Sequence, residues 1–425
     1  MGAVVALHTR YVLVYGTDTV FDRERMQQIR ISALRHVYGH TAVKAWLGSP
    51  ARNMVYDLKF EPGSDQRDDV LNLWRGFAVE PAAGDCKPIL AVLHHLCSEA
   101  ANTAEGSATV MAWVLRWLAL PLQRPGAKMA TAIVVHGPEG TGKNLFFELV
   151  ADLYGEHATV VGQDQLETQF NDWLSAKVFV IGDEVVSRQE LRHFKGKLKA
   201  MVTGREHLIN AKMVPLRRET NHTNVVFLSN ELQPLALDDT DRRYLVIHTP
   251  PARERAFYEA AAHCARAGGT AALMHYLQSL PLGDFNEHTP PPRTNAKADL
   301  VDLGLSPPER FWREWSAGLL DLPLQPCTNE QAFRAYSRWC SRAGVRWTGE
   351  QATFSRALRR ACGAAVQHKV VQVVDGSAGR RTSLRCLIPS GCGVPEGQSE
   401  GQWMADSRDI FQRALEAFMH AEAAA

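Results

Sequence analysis

The sequence predicts an α/β core built on a mostly parallel sheet, with an α+β region before it and a small winged-helix-like domain after it. Three observations carry this reading. Between residues 132 and 248 short apolar runs alternate with helical stretches, the pattern of a sheet covered by helices on both faces. A glycine-rich loop lies between the first of those runs and a helix. From 306 to 390, helical stretches give way to two strand-like runs, and basic residues dominate.

Composition narrows the field. The 425 residues are 45% apolar and 22% charged, which excludes wholesale disorder. Lys and Arg number 47 against 46 Asp and Glu, so a polyanionic partner must be met by local patches. Arg116 breaks the longest greasy stretch, Met111 to Leu122, well short of the roughly 18 to 20 residues of a membrane span. Met1 to Leu7 carries no basic n-region, and the eight cysteines include no CxxC pair. These features predict a cytosolic, reduced, multidomain protein without a membrane partner.

The elements follow in order. In the N-terminal region, 1–105, Tyr11 to Tyr15 and Met54 to Phe60 read as strands, and Ile89 to Ala100 as a helix. The core, 106–255, opens with an amphipathic helix from Ser107 that Pro121 and Pro125 should end. Strands are expected at Ala132–His136, Val178–Ile181, Val225–Leu228 and Tyr244–His248, with helices at Leu145–Leu153 and Arg188–Thr203. A helical lid and linker, 256–305, precede the domain at 306–390. There, helices at Phe311–Leu320, Asn329–Ala343 and Gly349–Ala361 precede strands at Ala365–Val374 and Thr382–Ile388, joined by a turn at 375–379. A tail, 391–425, follows, with a terminal helix expected over 404–423.

The loop Gly137-Pro138-Glu139-Gly140-Thr141-Gly142-Lys143-Asn144 reads as a P-loop. Its glycines let backbone N–H groups face inward as an anion nest, the helix start adds positive potential, and Lys143 can reach β and γ phosphates. Asn144 stands where Ser or Thr usually offers Mg²⁺ a hydroxyl, and its amide oxygen is also a hard ligand. Val178 to Ile181 runs through Gly182 into Asp183-Glu184, the arrangement for a metal-holding carboxylate and a neighbour that polarises the attacking water. Asn230, after the third strand, can orient that water, while Arg242 or Arg243 can be offered to a neighbouring subunit's γ phosphate. A local ion pair with the acids at 238–241 competes for one of these arginines. His94-His95 with Cys86 and Cys97 has no recognised metal spacing, and Trp46 and Trp74 read as core.

Two stretches are basic. Residues 191–218 hold eight Lys and Arg against Glu206 alone, and a hairpin is expected with Leu208–Lys212 and the chain from Thr223 as its strands. Lys212, Lys199 and Arg217 are the candidate DNA contacts there. In the C-terminal domain, Arg356, Arg359 and Arg360 lie on the expected groove-facing helix, with Arg380 and Arg381 at the wing.

The order of these motifs resembles superfamily 3 helicases, most closely the helicase part of phage- and plasmid-type primase-helicases. Ala45-Trp46-Leu47, Leu71 to Phe77, Trp113 to Pro125, Phe170-Asn171 and Pro326 to Cys340 extend the likeness over most of residues 10–360. The resemblance implies an AAA+-like core, ATP with Mg²⁺, a homo-hexameric ring, and translocation on single-stranded or forked DNA in a bacterial host cytoplasm. No primase half is evident, so a separate primase or polymerase is the implied partner. The function expected is an ATP-dependent DNA helicase of phage, prophage or plasmid replication. The rival expectations are an NTP-driven assembly factor and an initiator that binds DNA without unwinding it.

Overall fold

The computed structural model describes residues 2–65, 67–184, 191–212, 214–231, 241–345, 348–374 and 381–420, the side chains of 191–195, 301–304 and 374 excepted. The chain divides into two compact units, Met1–Val301 and Asp302–Ala425. Among the described residues no helix is long and apolar enough to cross a membrane.

The first unit begins with strands β1 (Tyr11–Val14), β2 (Thr19–Asp22), β3 (Gln27–Arg30) and β4 (Met54–Val55), ordered β3-β2-β1-β4. The single strand expected over 54–60 is two. β4 pairs with β1, whereas β5 (Asp57–Lys59) pairs in parallel with β6 (Val70–Asn72) in a separate sheet. The switch falls at Tyr56, whose N–H turns to the carbonyl of Asp69. The next helices are Lys87–Cys97, which buries His95 and Cys97, and Ala104–Gln123, capped by the Thr103 hydroxyl on the N–H of Gly106. Pro121 does not end that helix. A proline removes only its own N–H, and the turn closes beyond it through Arg124 N–H on the Leu120 carbonyl.

The main sheet comprises β7 (Ala132–His136), β8 (Ala158–Val161), β9 (Phe179–Gly182), β12 (Asn224–Ser229) and β13 (Tyr244–His248). Its order is β13-β7-β12-β9-β8, and every pair is parallel. β7, β9 and β12 are buried at every position, as strands covered on both faces must be. Alternation then sorts the side chains. Ile133, Val135, Ile181, Val226 and Leu228 pack with the Lys143–Tyr154 helix and its neighbours, while Val134, Val180, Val225 and Phe227 face Leu198 and Val202 of the Leu191–Thr203 helix. β10 (Glu206–Ile209) and β11 (Arg217–Thr220) form an antiparallel hairpin outside this sheet. The hairpin was expected to close on the chain from Thr223, but that segment is the central strand β12.

In the second unit, helices Pro307–Ser316, Asn329–Arg342 and Gln351–Cys362 pack around Phe311, Trp315, Tyr336, Trp339 and Phe354. β14 (Cys327–Thr328), β15 (Val366–Val374) and β16 (Arg381–Pro389) form a sheet ordered β14-β16-β15. The tail does not stand apart. Helix Glu400–His420 inserts Phe411, Leu415 and Phe418 into the same core, and Gln331 donates to the carbonyl of Arg408 at 2.9 Å.

Candidate active site at the carboxyl edge of the sheet

All main-sheet strands run the same way, so their carboxyl ends share one edge, where ligands of open parallel sheets bind. β7 ends at His136 and enters the glycine loop, which leads directly into helix Lys143–Tyr154. Gly137, Gly140 and Gly142 have φ of 139°, 73° and 87°. A Cβ on Gly137 would lie 2.4 Å from the Thr249 hydroxyl, and one on Gly142 2.7 Å from the Tyr258 ring. The loop can therefore take this tight form only with glycine at those positions.

Lys143 is 5% exposed, and its Nζ donates to the carbonyls of Pro138 at 3.0 Å and Gly137 at 3.3 Å. Burial lowers its pKa, and the charges of Asp183 and Glu139 oppose that shift. Asn144, on the first turn of the same helix, donates from Nδ2 to Asp183 Oδ2 at 3.1 Å. This bond ties the glycine loop to the end of β9 across the intervening strand β12. Glu184 follows in the left-handed region, at φ 53°, and its N–H donates to Asp183 Oδ1. At the end of β12, Asn230 donates to Glu139 Oε1 at 3.4 Å. A cleft of about 880 Å³ opens beside Glu139, Asp183, Glu184 and Asn230, and Asp164, Glu167 and Glu231 line it as well. These carboxylates make the cleft strongly negative, and among the described residues no three or more His, Cys, Asp or Glu side chains are grouped closely enough to hold a metal ion by themselves.

The two arginines after the acidic loop differ. Residues 238–240 of that loop lie outside the described residues. Asp241 is buried, and Arg243 holds it through a bidentate pair, with Nε on Oδ1 at 2.9 Å. Arg242 is exposed. Arg243, expected as a candidate for catalysis in trans, is thus committed to an intramolecular pair.

The basic segment also divides. Lys212 is exposed on the hairpin loop, and Lys199 is exposed on the Leu191–Thr203 helix. Arg217 is corrected. It pairs with the buried Glu219 at 2.6 Å and bonds the Ser175 hydroxyl, so it fastens the hairpin base rather than offering charge to DNA. Lys197 caps the carbonyls of Leu166 and Thr168. The side chains of Arg192 and Lys195 lie outside the described residues, as do Arg380 and the 375–379 turn. Arg356, Arg359 and Arg360 are exposed on one helix of the second unit.

Sequence reasoning missed His136. It is buried beside His248, its ring centroid 5.1 Å away, and burial followed by that neighbour lowers its pKa to about 4. An apolar run ending in His gave no hint of a neutral imidazole under the loop. Trp46 is core, and Trp74 stacks on His157 at 4.6 Å.

Residues 135–243, from the loop strand to Arg243, match a sequence family described only as a family of unknown function, DUF5906. Over 149 residues the chain is 31% identical to the DNA primase-polymerase of Nitratiruptor phage NrS-1, a match covering 34% of this chain. The chain spans about a fifth of that relative, 21% of its length. Its fold is that of the C-terminal region of NrS-1. One apo structure of that region superposes with a TM-score of 0.61 at 16% identity, covering 92% of this chain and all of the other. A second gives 0.64 at 17% identity, covering 89% and 96%.

Proposed function

We propose that this chain is an ATP-dependent DNA helicase of phage, prophage or plasmid replication, with a P-loop core of the AAA+ kind and a winged-helix-like DNA-binding unit. One observation carries the reading. The glycine loop, Asn230 and the Asp183-Glu184 pair end three adjacent strands, β7, β12 and β9, and the Asn144–Asp183 bond joins the outer two. The similarity to a phage primase-polymerase supports a role in phage DNA replication.

In this reading the loop N–H groups and Lys143 would hold the triphosphate, and Asn144 and Asp183 would hold a Mg²⁺ that would supply neutralisation of phosphate charge. Lys143 turns from the Pro138 and Gly137 carbonyls toward the anion. Asn144 spends its amide N–H₂ on Asp183, which leaves its carbonyl oxygen for the metal. Glu184 accepts a proton from the attacking water, and Asn230 orients it. Exposed Arg242, rather than Arg243, is the guanidinium for a neighbouring subunit in a homo-hexameric ring, and Lys212 and Lys199 meet single-stranded or forked DNA.

The test is ATP turnover with and without single-stranded DNA, run beside a sizing measurement with nucleotide present. We expect DNA-stimulated turnover and a ring-sized assembly. Turnover indifferent to DNA, with no strand separation on a fork, would favour an NTP-driven assembly factor. Absent turnover with salt-sensitive DNA binding would favour an initiator.

A further inference from the structure

A basic concavity of the second unit shares no residue with the cleft at the main-sheet edge. It is a groove of about 1120 Å³, lined by helix Gln351–Cys362, by strands β15 and β16, and by residues of helices Asn329–Arg342 and Glu400–His420. Seven Lys and Arg line it against two carboxylates, Glu330 and Asp409. Asp409 is already paired with Arg408. Arg334, Arg356, Arg359 and Arg385 come from three different elements, all exposed, and none has a carboxylate partner among the described residues. Guanidinium groups brought together without counter-charges repel one another, and an anion that bridges them relieves that repulsion.

The floor indicates which anion. Val370 is 60% exposed, and Arg385 stands opposite it in the β15–β16 register. His368, two residues away on the same side of β15, has a buried Nε2 with no hydrogen-bond partner among the described residues. An apolar surface and a polar ring amid cations suit a ligand whose bases and sugars are uncovered. The groove shape argues in the same direction. To read a duplex, a helix enters a major groove about 12 Å wide, which its own 10–12 Å diameter nearly fills. Here Arg334 and Arg408, from neighbouring helices, line the same concavity as Arg356 and Arg359, so the helix forms a wall instead of a projecting ridge.

We propose that this groove binds the backbone of a single DNA strand, its phosphates on Arg334, Arg356, Arg359 and Arg385 and its sugars or bases against Val370. The proposal rests on reading the chain as a DNA-handling protein but not on its ATPase chemistry. It adds Arg334 and Arg385 to the helix arginines and replaces major-groove insertion with a strand channel.

The experiment uses the full chain without nucleotide, measuring fluorescence anisotropy with labelled oligothymidylate and with a duplex of equal length. The double variant Arg334→Ala, Arg385→Ala should bind the single strand about 10-fold more weakly. Its log-affinity against log-salt slope should shrink by roughly 1.4, about 0.7 for each lost phosphate contact. Duplex binding should stay weak and unchanged. The charge-preserving variant Arg334→Lys, Arg385→Lys should stay within about threefold of wild type. Unchanged single-strand affinity in the alanine variant would overturn the proposal. So would equal weakening in the lysine variant, or a duplex bound more tightly than the single strand and lost on substitution. DNA-free ATP turnover of the same samples reports separately on the glycine loop. Its absence in the wild type would count against the ATPase reading and leave the groove result standing.

Discussion

In the proposed triphosphate site Asn144 stands where a hydroxyl is usual, and its amide bonds Asp183. A hydroxyl there would offer one donor and its lone pairs, whereas the amide gives its N–H₂ to Asp183 and, in the proposed site, keeps its oxygen for the metal. Asn144→Ser should therefore keep ATP turnover within about tenfold of wild type, while Asn144→Leu should lose both the bond and the ligand, with a fall of about 100-fold or more. Steady-state turnover against Mg²⁺ concentration separates the two variants. A second residue has a consequence for pH. Lys128 donates to the Thr223 carbonyl at the amino edge of the sheet, and burial lowers its pKa to about 7. The unfolded chain, at roughly 10.4, keeps that proton longer, so between pH 7 and about 10 this group makes stability rise with pH. Lys128→Met should be more stable at pH 7 and flatten that rise, as read by denaturant midpoints across the range. Lys143, Asp183 and Glu184 were legible as residues because the loop and the acids are each local signals within one short stretch of chain. The Arg217–Glu219 pair is just as local, but nothing in the sequence said that Glu219 would be buried under Ser175 and Ala176.

At the level of elements, that pair sets how the basic hairpin is held. Glu219 takes the N–H of Ala176 at 2.7 Å as well as the Arg217 guanidinium, so the hairpin base is latched to the segment before β9. Arg217→Ala would strand a buried carboxylate and should cost about 2 to 4 kcal/mol, reduced from the fully buried case because the guanidinium is partly exposed. Lys212→Ala should leave stability unchanged and weaken binding to single-stranded DNA. Denaturation and anisotropy on the two variants give opposite patterns, and the reverse pattern would put the DNA contact back on Arg217. The elements that sequence reasoning found are the long or wholly apolar ones. It missed β8, an edge strand with only Val161 buried, and β14, two residues whose strand character exists only through pairing with β16. It merged β4 with β5, because no residue at 54–60 signals that the chain leaves one sheet for another.

For the whole molecule, the proposed ring puts the active site between copies. Arg243 is held by Asp241 within its own subunit and Arg242 is exposed, so in the proposed ring Arg242 is the residue for the neighbour. Lys143→Ala and Arg242→Ala should each be inactive alone. Mixed in equal amounts, they should recover up to about a quarter of wild-type turnover, since that share of interfaces would join an intact loop to an intact arginine. Arg243→Ala should instead lower stability and give no such rescue. The α/β character of the core and its parallel main sheet could be read along the chain. The strand order β13-β7-β12-β9-β8 could not, and it is this order that sets Asn230 between the loop and the acids.

The most direct measurement is equilibrium binding of labelled ATP in the presence of Mg²⁺ to the wild type, Lys143→Ala and Glu184→Gln, followed by release of phosphate from each. The account predicts binding and hydrolysis by the wild type, binding without hydrolysis by Glu184→Gln, and neither by Lys143→Ala. Undiminished binding and hydrolysis by Lys143→Ala would contradict it.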